Sequence, residues 1–217
     1  MRAAVALVLL LAAGPAAADW FVAAGRADYA RGGGAGHWDQ PPLQSEWRLR
    51  TGAVALGYRR GDVEIALHDL GRVTVHGFYV PDADYDPVRQ QVRDGARTWR
   101  GIVSQHTQGL SLTYAPQWRA GQARWGVAAG ALVFRQRSRF DIDWTDGQCC
   151  STDVAQTETG ITPLAGVRVG YEIAPHLVLG VAAHQAWRVR RADAPAGGTG
   201  NRPGLTLYLL TLSLELP

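Results

Sequence analysis

The 217-residue chain contains no lysine, since all 22 of its basic residues are arginine. It has one methionine, at the start, and only two cysteines. The lack of lysine is most simply a GC-rich coding bias and predicts no function. Beyond the first 18 residues the sequence has no apolar run of the roughly 18 to 20 residues that a helix needs to cross a bilayer. The rest of the chain is therefore soluble, or it crosses a membrane as strands.

Basic and acidic residues nearly balance, with 22 of one sign and 19 of the other. The formal net charge is +3, and the loss of Arg2 with a leader would reduce it by one. So small an excess argues against a nucleic-acid partner.

The first residues have the pattern of a secretory leader. Arg2 is followed by an apolar run over residues 3–13, by Gly14-Pro15 and by three alanines, 16–18. Small residues at these positions suit a signal peptidase. We predict a signal peptide over residues 1–18, cleaved before Asp19, and a single domain over 19–217; the alternative is a short anchoring helix.

Strict alternation over residues 63–77 predicts a strand. One row is mostly aliphatic: Val63, Ile65, Leu67, Asp69, Gly71, Val73 and Val75. The other carries ionisable groups: Glu64, His68, Arg72 and His76. The polar row faces water, or it faces a barrel interior while the aliphatic row faces lipid.

Eight such segments recur along the chain, separated by connections of alternating length. The predicted strands are 20–29, 47–59, 63–77, 99–114, 124–136, 160–173, 177–190 and 205–216. Long connections are expected over 30–46, 79–98, 137–159 and 191–204. An even strand number with short turns at one rim and long loops at the other is typical of bacterial outer-membrane barrels. The predicted fold is all-β, an eight-stranded antiparallel up-and-down transmembrane β-barrel in the cell outer membrane, with the long loops outside the cell.

The seventh and eighth segments place bulky apolar residues on one row and small or charged residues on the other. A lipocalin, the main soluble alternative, would instead line its interior with apolar groups. Trp and Tyr residues fall near segment ends, as interfacial girdles do.

Residues 162–177, TPLAGVRVGYEIAPHL, resemble the penultimate hairpin of the OmpA-like and opacity-type outer membrane β-barrel proteins. Segments 109–114 and 126–133 are similar to the central hairpin of that family. The resemblance implies the barrel fold, contact with outer membrane lipid and lipopolysaccharide, and recognition by the outer-membrane assembly machinery. Barrels of this kind usually end in an aromatic residue, whereas this chain ends in Pro217.

Eight strands leave an interior that side chains fill, so we expect no diffusive pore. A charge network rather than an apolar core should hold this lumen, because a buried unpaired carboxylate is costly. Its predicted members are Arg26, Glu64, His68, Arg72, Arg168, His184, Arg188 and Glu215. Glu64 is expected to pair with Arg168; the alternative is a solvated rim carboxylate without a fixed partner.

Enzymatic chemistry has little support in the sequence. Ser104 and His106 lie two apart on one strand face, as a nucleophile and its base could, but polar filling of the lumen is the favoured interpretation. No metal site or cofactor is predicted. Cys149 and Cys150 are adjacent in the third long loop, and the alternatives there are a vicinal disulfide, an intermolecular disulfide or, least favoured, a metal site.

We therefore expect a structural, adhesive or binding role at the cell envelope, exerted through the surface loops. The alternative function is a lipid A-modifying outer membrane enzyme, an acyl hydrolase or transferase.

Overall fold

A computed structural model describes residues 18–29, 46–48, 50–79, 85–86, 91–92, 99–144, 152–187 and 204–216. The predicted signal peptide, apart from Ala18, lies outside the described residues, as do Cys149, Cys150 and Arg188. The strands are β1 (Ala18–Tyr29), β2 (Glu46–Arg48), β3 (Arg50–Arg60), β4 (Val63–Tyr79), β5 (Tyr85–Asp86), β6 (Gln91–Val92), β7 (Trp99–Tyr114), β8 (Gln117–Ala120), β9 (Ala123–Trp144), β10 (Thr152–Ala174), β11 (Leu177–Ala186) and β12 (Leu205–Leu216).

Eight long strands of the described chain close into one antiparallel barrel. Their order is β10-β11-β12-β1-β3-β4-β7-β9, and the pairing of β9 with β10 completes the ring. The short β8 pairs with β9, β2 pairs with β4, and β5 and β6 form a separate hairpin. The predicted fold of an eight-stranded up-and-down barrel is confirmed.

The tight turns lie at one rim, which we call the turn rim. They connect β3 to β4, β8 to β9 and β10 to β11. Gly61 and Gly121 have φ angles of 57° and 60°, and His176 has 66°. Both ends of the described barrel, Ala18 and Leu216, pair with each other at the same rim.

Two strands are longer than the sequence predicted. The predicted connection over 137–159 was too long, because β9 runs to Trp144 and β10 starts at Thr152. Register pairing continues from Phe134↔Gly160 to Ile142↔Thr152. Alternation persists here, with Gln136 and Ser138 buried, but the exposed row changes from apolar residues to arginine. The apolar period alone could not reveal this continuation.

The barrel exterior carries a broad apolar belt. Its side chains are 40 to 67% exposed, far above what a soluble core would leave uncovered. Members from the described strands include Val22, Val54, Leu56, Leu67, Leu112, Val127, Val133, Ile161, Val167, Val169, Leu179, Val181, Leu210, Leu212 and Leu214. Exposed Tyr114, Trp118, Trp125 and Tyr171 lie around the turn rim, as the expected interfacial girdle would.

The interior has two layers. The half nearer the turn rim holds charged and polar side chains, described below. The opposite half is mainly an apolar plug, in which Tyr29, Leu70, Val73, Leu132, Phe134, Leu164, Leu205 and Leu207 are buried. The uncharged polar side chains of Gln105, Thr107, Gln136 and Ser138 are buried among them. The expectation of a charge network in place of an apolar core was therefore wrong for this half of the lumen. The leucines of β9, β10 and β12 contribute to the plug because they lie on the interior-facing row of their strands, where the other residues are mostly small.

A β-bulge in β4 exchanges the two faces of that strand. The pairing of β4 with β7 shifts by one residue between Asp69 and Arg72. Gly71 has a φ of 71°, and the Asp69 Oδ1 atom accepts a hydrogen bond from its N–H at 2.9 Å. An extra residue reverses the facing of all that follow.

Two predictions fail because of the bulge. Arg72 was expected in the lumen but is exposed on the exterior, and Val73 was expected towards lipid but is only 2% exposed, within the apolar plug. An isolated glycine inside a strand is the sequence signal for such a bulge.

Candidate functional site

A buried carboxylate, Glu64, is the centre of the polar layer. Its Oε2 atom accepts hydrogen bonds from Nη2 of Arg59 at 3.0 Å, from Nε of Arg59 at 3.2 Å and from Nη1 of Arg168 at 2.5 Å. Arg59 and Glu64 are register partners across the turn that joins β3 to β4. The Oδ2 atom of Asp19 lies 3.6 Å from Nη1 of Arg59. The structure thus contains the expected contact between Glu64 and Arg168 and adds Arg59, which the sequence analysis did not single out.

A second charged cluster lies closer to the turn rim. Glu172 Oε2 accepts hydrogen bonds from Nη2 of Arg119 at 2.7 Å and from Nη2 of Arg124 at 3.0 Å. Arg124 also forms an ion pair with Glu215. Glu215 therefore belongs to a cluster whose other members were not predicted.

The two histidines predicted for the lumen, His68 and His184, lie farther from the turn rim than Glu64. Nε2 of His68 is 2.8 Å from the Oγ atom of Ser111, and His184 is buried on the interior row of β11. The side chains enclose a cavity of about 50 Å³, lined among others by Arg59, Glu64, Arg168 and the two histidines. That volume accommodates water molecules.

Some buried polar atoms around this cavity have no hydrogen-bond partner within the described residues. They are Nε and Nη2 of Arg168, Nε of Arg124, Nδ1 of His184 and Oγ1 of Thr113. Polar atoms of this kind are usually satisfied by internal water.

Arg26 was predicted to face the lumen, and this prediction was wrong. Its side chain is 51% exposed and forms an ion pair with Asp28 at 2.7 Å. Its guanidinium also lies 5.4 Å from the ring centre of exposed Tyr208. The reason is that Phe21, Ala23, Ala27 and Tyr29 occupy the interior row of β1, although two of them are bulky aromatics.

Ser104 and His106 lie on the exterior row of β7, because Gln105 and Thr107 are the buried residues of that strand. Their interpretation as lumen filling was therefore wrong. Nε2 of His106 is 2.9 Å from Oδ1 of Asp69 on β4. Nε2 of Gln108 donates to Oδ2 of the same carboxylate at 3.3 Å. The shared parity with exposed Leu112 could have revealed this facing.

The exterior changes from apolar to polar along one row of paired residues. On β4, β7, β9 and β10 the last apolar row is Leu67, Leu110, Val133 and Ile161. The next row outward is Asp69, Gln108, Arg135 and Thr159. Beyond it on β9 come exposed Arg137 and Arg139. We call Arg135, Arg137 and Arg139 the arginine column.

Among the described residues, no group of three or more His, Cys, Asp or Glu side chains could hold a metal ion. The same residues include no helix with the length and apolar character needed to cross a membrane.

Comparison with known proteins finds similar solved structures only. No family model and no curated protein matches the sequence. The outer membrane protein OprG from Pseudomonas aeruginosa is 12% identical, with 94% of this chain and 98% of that chain covered and a TM-score of 0.49. Neisserial surface protein A is 12% identical, with 92% and 96% covered and a TM-score of 0.45. Ail of Yersinia pestis, solved with the heparin analogue sucrose octasulfate, is 9% identical, with 92% and 99% covered and a TM-score of 0.40.

The location of the chain follows from its own exterior. A closed barrel leaves no unpaired strand edge, which is the condition for strands to cross a bilayer. The exterior of the barrel carries an apolar belt, and the half of the lumen nearer the turn rim is charged. A soluble barrel has the reverse arrangement, with a polar exterior and an apolar interior. Barrels with this arrangement reside in outer membranes, and the chain is accordingly an outer membrane β-barrel.

Proposed function

We propose that this barrel serves a structural, adhesive or binding role at the cell envelope through its loops and exterior, and that it conducts no solute through its lumen. The observation that carries the proposal is the filling of the lumen by two successive layers. The cluster of Glu64, Arg59 and Arg168 occupies one half, and the apolar plug around Leu70 and Leu132 occupies the other.

The rim opposite the turn rim carries the long connections. In sequence these run over residues 30–45, 80–98, 145–151 and 187–204, with the short β5–β6 hairpin in the second. Short turns of such barrels face the periplasm and long loops face the outside. The long loops are therefore the parts that reach a partner outside the cell.

Conductance and attachment together test this proposal. Purified protein in planar bilayers should show no ion conductance, whereas a stable conductance would contradict the sealed lumen. Cells expressing the chain should aggregate or attach to glass more than cells expressing a variant whose residues 191–203 are replaced by a Gly-Ser linker. Equal behaviour of the two strains, at equal surface amounts, would contradict a role of that loop in adhesion.

A second candidate function, lipid ester hydrolysis, is favoured by the contact between Asp69 and His106. An acidic residue that holds a histidine beside a serine is the usual arrangement for nucleophilic acyl transfer. In such a reaction the Ser104 hydroxyl would attack an acyl ester carbonyl, and His106 would accept its proton and pass it to the departing alcohol oxygen as the ester bond breaks. Water would then hydrolyse the acyl-serine ester and release the fatty acid. Ser104 and His106 are not hydrogen-bonded to each other among the described contacts, so this candidate ranks second.

Mass spectrometry of lipid A separates the two functions. If the candidate is correct, cells with the parent chain lose an acyl chain from lipid A, and cells with Ser104→Ala do not. Identical lipid A in the parent, Ser104→Ala and deletion strains would exclude the hydrolase.

A further inference from the structure

The arginine column forms a cationic strip on the barrel exterior, directly above the apolar belt. Val133 is 51% exposed at the upper edge of the belt, and Arg135, Arg137 and Arg139 follow it on the same face of β9. Alternate residues of a strand are about 6.7 Å apart, so the column is about 13 Å long. Arg72 on β4 extends the positive charge sideways, because its partner His106 pairs in turn with Arg137.

The charges around the column leave it positive. Asp69 is already engaged by His106 and Gln108, and Asp141 is the next residue on the row of the column. Asp153 on β10 is the register partner of Asp141, so four arginines stand against three acidic positions. Within the described part of the chain, Arg135 and Arg137 have no ion-pair partner. On β10 the neighbours of these two arginines are the uncharged Thr159 and Thr157.

Arginine at this height meets the head groups of the outer leaflet. Basic residues at a membrane surface are attracted to anionic lipid, and a guanidinium binds phosphate oxygens through two parallel hydrogen bonds. The apolar row below, Leu110, Val133 and Ile161, offers a surface for acyl chains. Because the arginine column lies directly beside this apolar surface, the site suits an amphipathic ligand better than a free anion.

We propose that Arg135 and Arg137 bind the phosphate groups of a phosphorylated glycolipid of the outer leaflet. Thr157 and Thr159 are the register partners of Arg137 and Arg135 on β10, so their hydroxyls add hydrogen-bond donors beside the two arginines. The acyl chains lie along the apolar belt. This inference rests on the outer-membrane location and adds a specific lipid site to the proposed function.

Native mass spectrometry of the detergent-solubilised protein with increasing bisphosphorylated lipid A tests the site. The parent should bind this lipid more tightly than dephosphorylated lipid A. The double substitution Arg135→Gln/Arg137→Gln should weaken binding of the phosphorylated lipid by about tenfold or more, as expected for the loss of a charge-assisted hydrogen bond. The pair Arg135→Lys/Arg137→Lys should bind with an affinity between those of the parent and the double glutamine variant, because lysine keeps the charge but not the two parallel hydrogen bonds. Arg119→Gln at the turn rim should leave the affinity unchanged.

Three results would overturn the proposal. They are equal binding of phosphorylated and dephosphorylated lipid A by the parent, unchanged binding by the double glutamine variant, and displacement of lipid A by inorganic pyrophosphate at a concentration equal to that of the lipid. Protease protection after reconstitution separates this failure from that of the proposed location. A barrel that inserts into vesicles without a phosphate preference refutes the lipid site alone, whereas a chain that does not insert refutes the membrane location.

Discussion

Nη1 of Arg168 donates to Oε2 of Glu64 at 2.5 Å, although 104 residues separate the two in sequence. Arg168 lies on β10 and Glu64 on β4, with β7 and β9 between them around the barrel. The contact is therefore a brace across the lumen, and Arg59 completes it from β3.

Glu64→Gln tests this brace. The substitution removes the only described carboxylate within ion-pair distance of Arg168, and it takes the closest carboxylate from Arg59. Breaking a buried pair costs about 3 to 5 kcal/mol, because the remaining charge stays buried. Urea unfolding of the vesicle-folded protein should show a loss of this size.

A matched control for that experiment is Arg119→Gln. Arg119 is 59% exposed, and Glu172 keeps its contact with Arg124 when Arg119 is replaced. The unfolding midpoint should hardly change. Equal midpoints for the parent and Glu64→Gln would contradict the brace.

Gly71→Ala should destabilise the barrel by more than about 1 kcal/mol, because the left-handed backbone at this position disfavours a Cβ atom. An added Cβ would also collide with the carbonyl oxygen of Gly52. Gly52→Ala is the control, since a Cβ there meets nothing within 4 Å. If the two variants unfold at the same urea concentration, the bulge is not a required feature of β4.

Val181→Arg should cost about 2 to 4 kcal/mol if the residue lies near the bilayer midplane. Val181 is 57% exposed on the exterior of β11. Val63→Arg provides the depth control, because Val63 is exposed beside the turn that joins β3 to β4, where the cost should fall to about 0 to 1 kcal/mol. Equal unfolding free energies in bilayers for Val181→Arg and the parent would place Val181 outside the lipid.

Epitope tags test the orientation of the barrel. A tag within residues 191–203 should bind antibody on intact cells. Tags at Gly61 or Gly121 lie in tight turns of the opposite rim, so they should bind only after permeabilisation. Surface labelling at Gly61 would reverse the orientation.

The sequence predicts the barrel because strand alternation repeats eight times, and strands with a lipid-facing row keep their register over long stretches. Residues 63–77 predict β4 (Val63–Tyr79) to within two residues. The contact of Glu64 with Arg168 was also accessible, since both residues share depth and facing. These features depend on the local alternation and on the distance of each residue from the nearest short turn.

The sequence mispredicts whether a side chain points inward or outward in two situations. In one, an extra residue shifts the alternation of a strand; in the other, apolar residues face the lumen and charged residues face outward. The bulge at Gly71 reverses the facing of Arg72 and Val73. On β1, aromatic residues occupy the interior row, so Arg26 faces outward. The arginine column was hidden for a related reason, because exterior rows become polar above the apolar belt and then look like loop sequence. Contacts such as Asp69 with His106 need the register of two strands, which a single sequence does not supply.

The central claim, a barrel with lipid outside and packed side chains inside, is tested most directly by spin labels on consecutive residues. Single cysteines for labelling would replace Val127, Ala128, Ala129, Val181, Ala182 and Ala183, in a chain whose native cysteines are serine. Ala128 and Ala182 are buried, whereas Val127 and Val181 are exposed. In lipid vesicles, labels at 127, 129, 181 and 183 should collide with membrane-dissolved oxygen, and labels at 128 and 182 should be shielded from both oxygen and a water-soluble nickel chelate. Uniform accessibility along each strand, or preferential access of the nickel chelate to 127 and 181, would contradict the account.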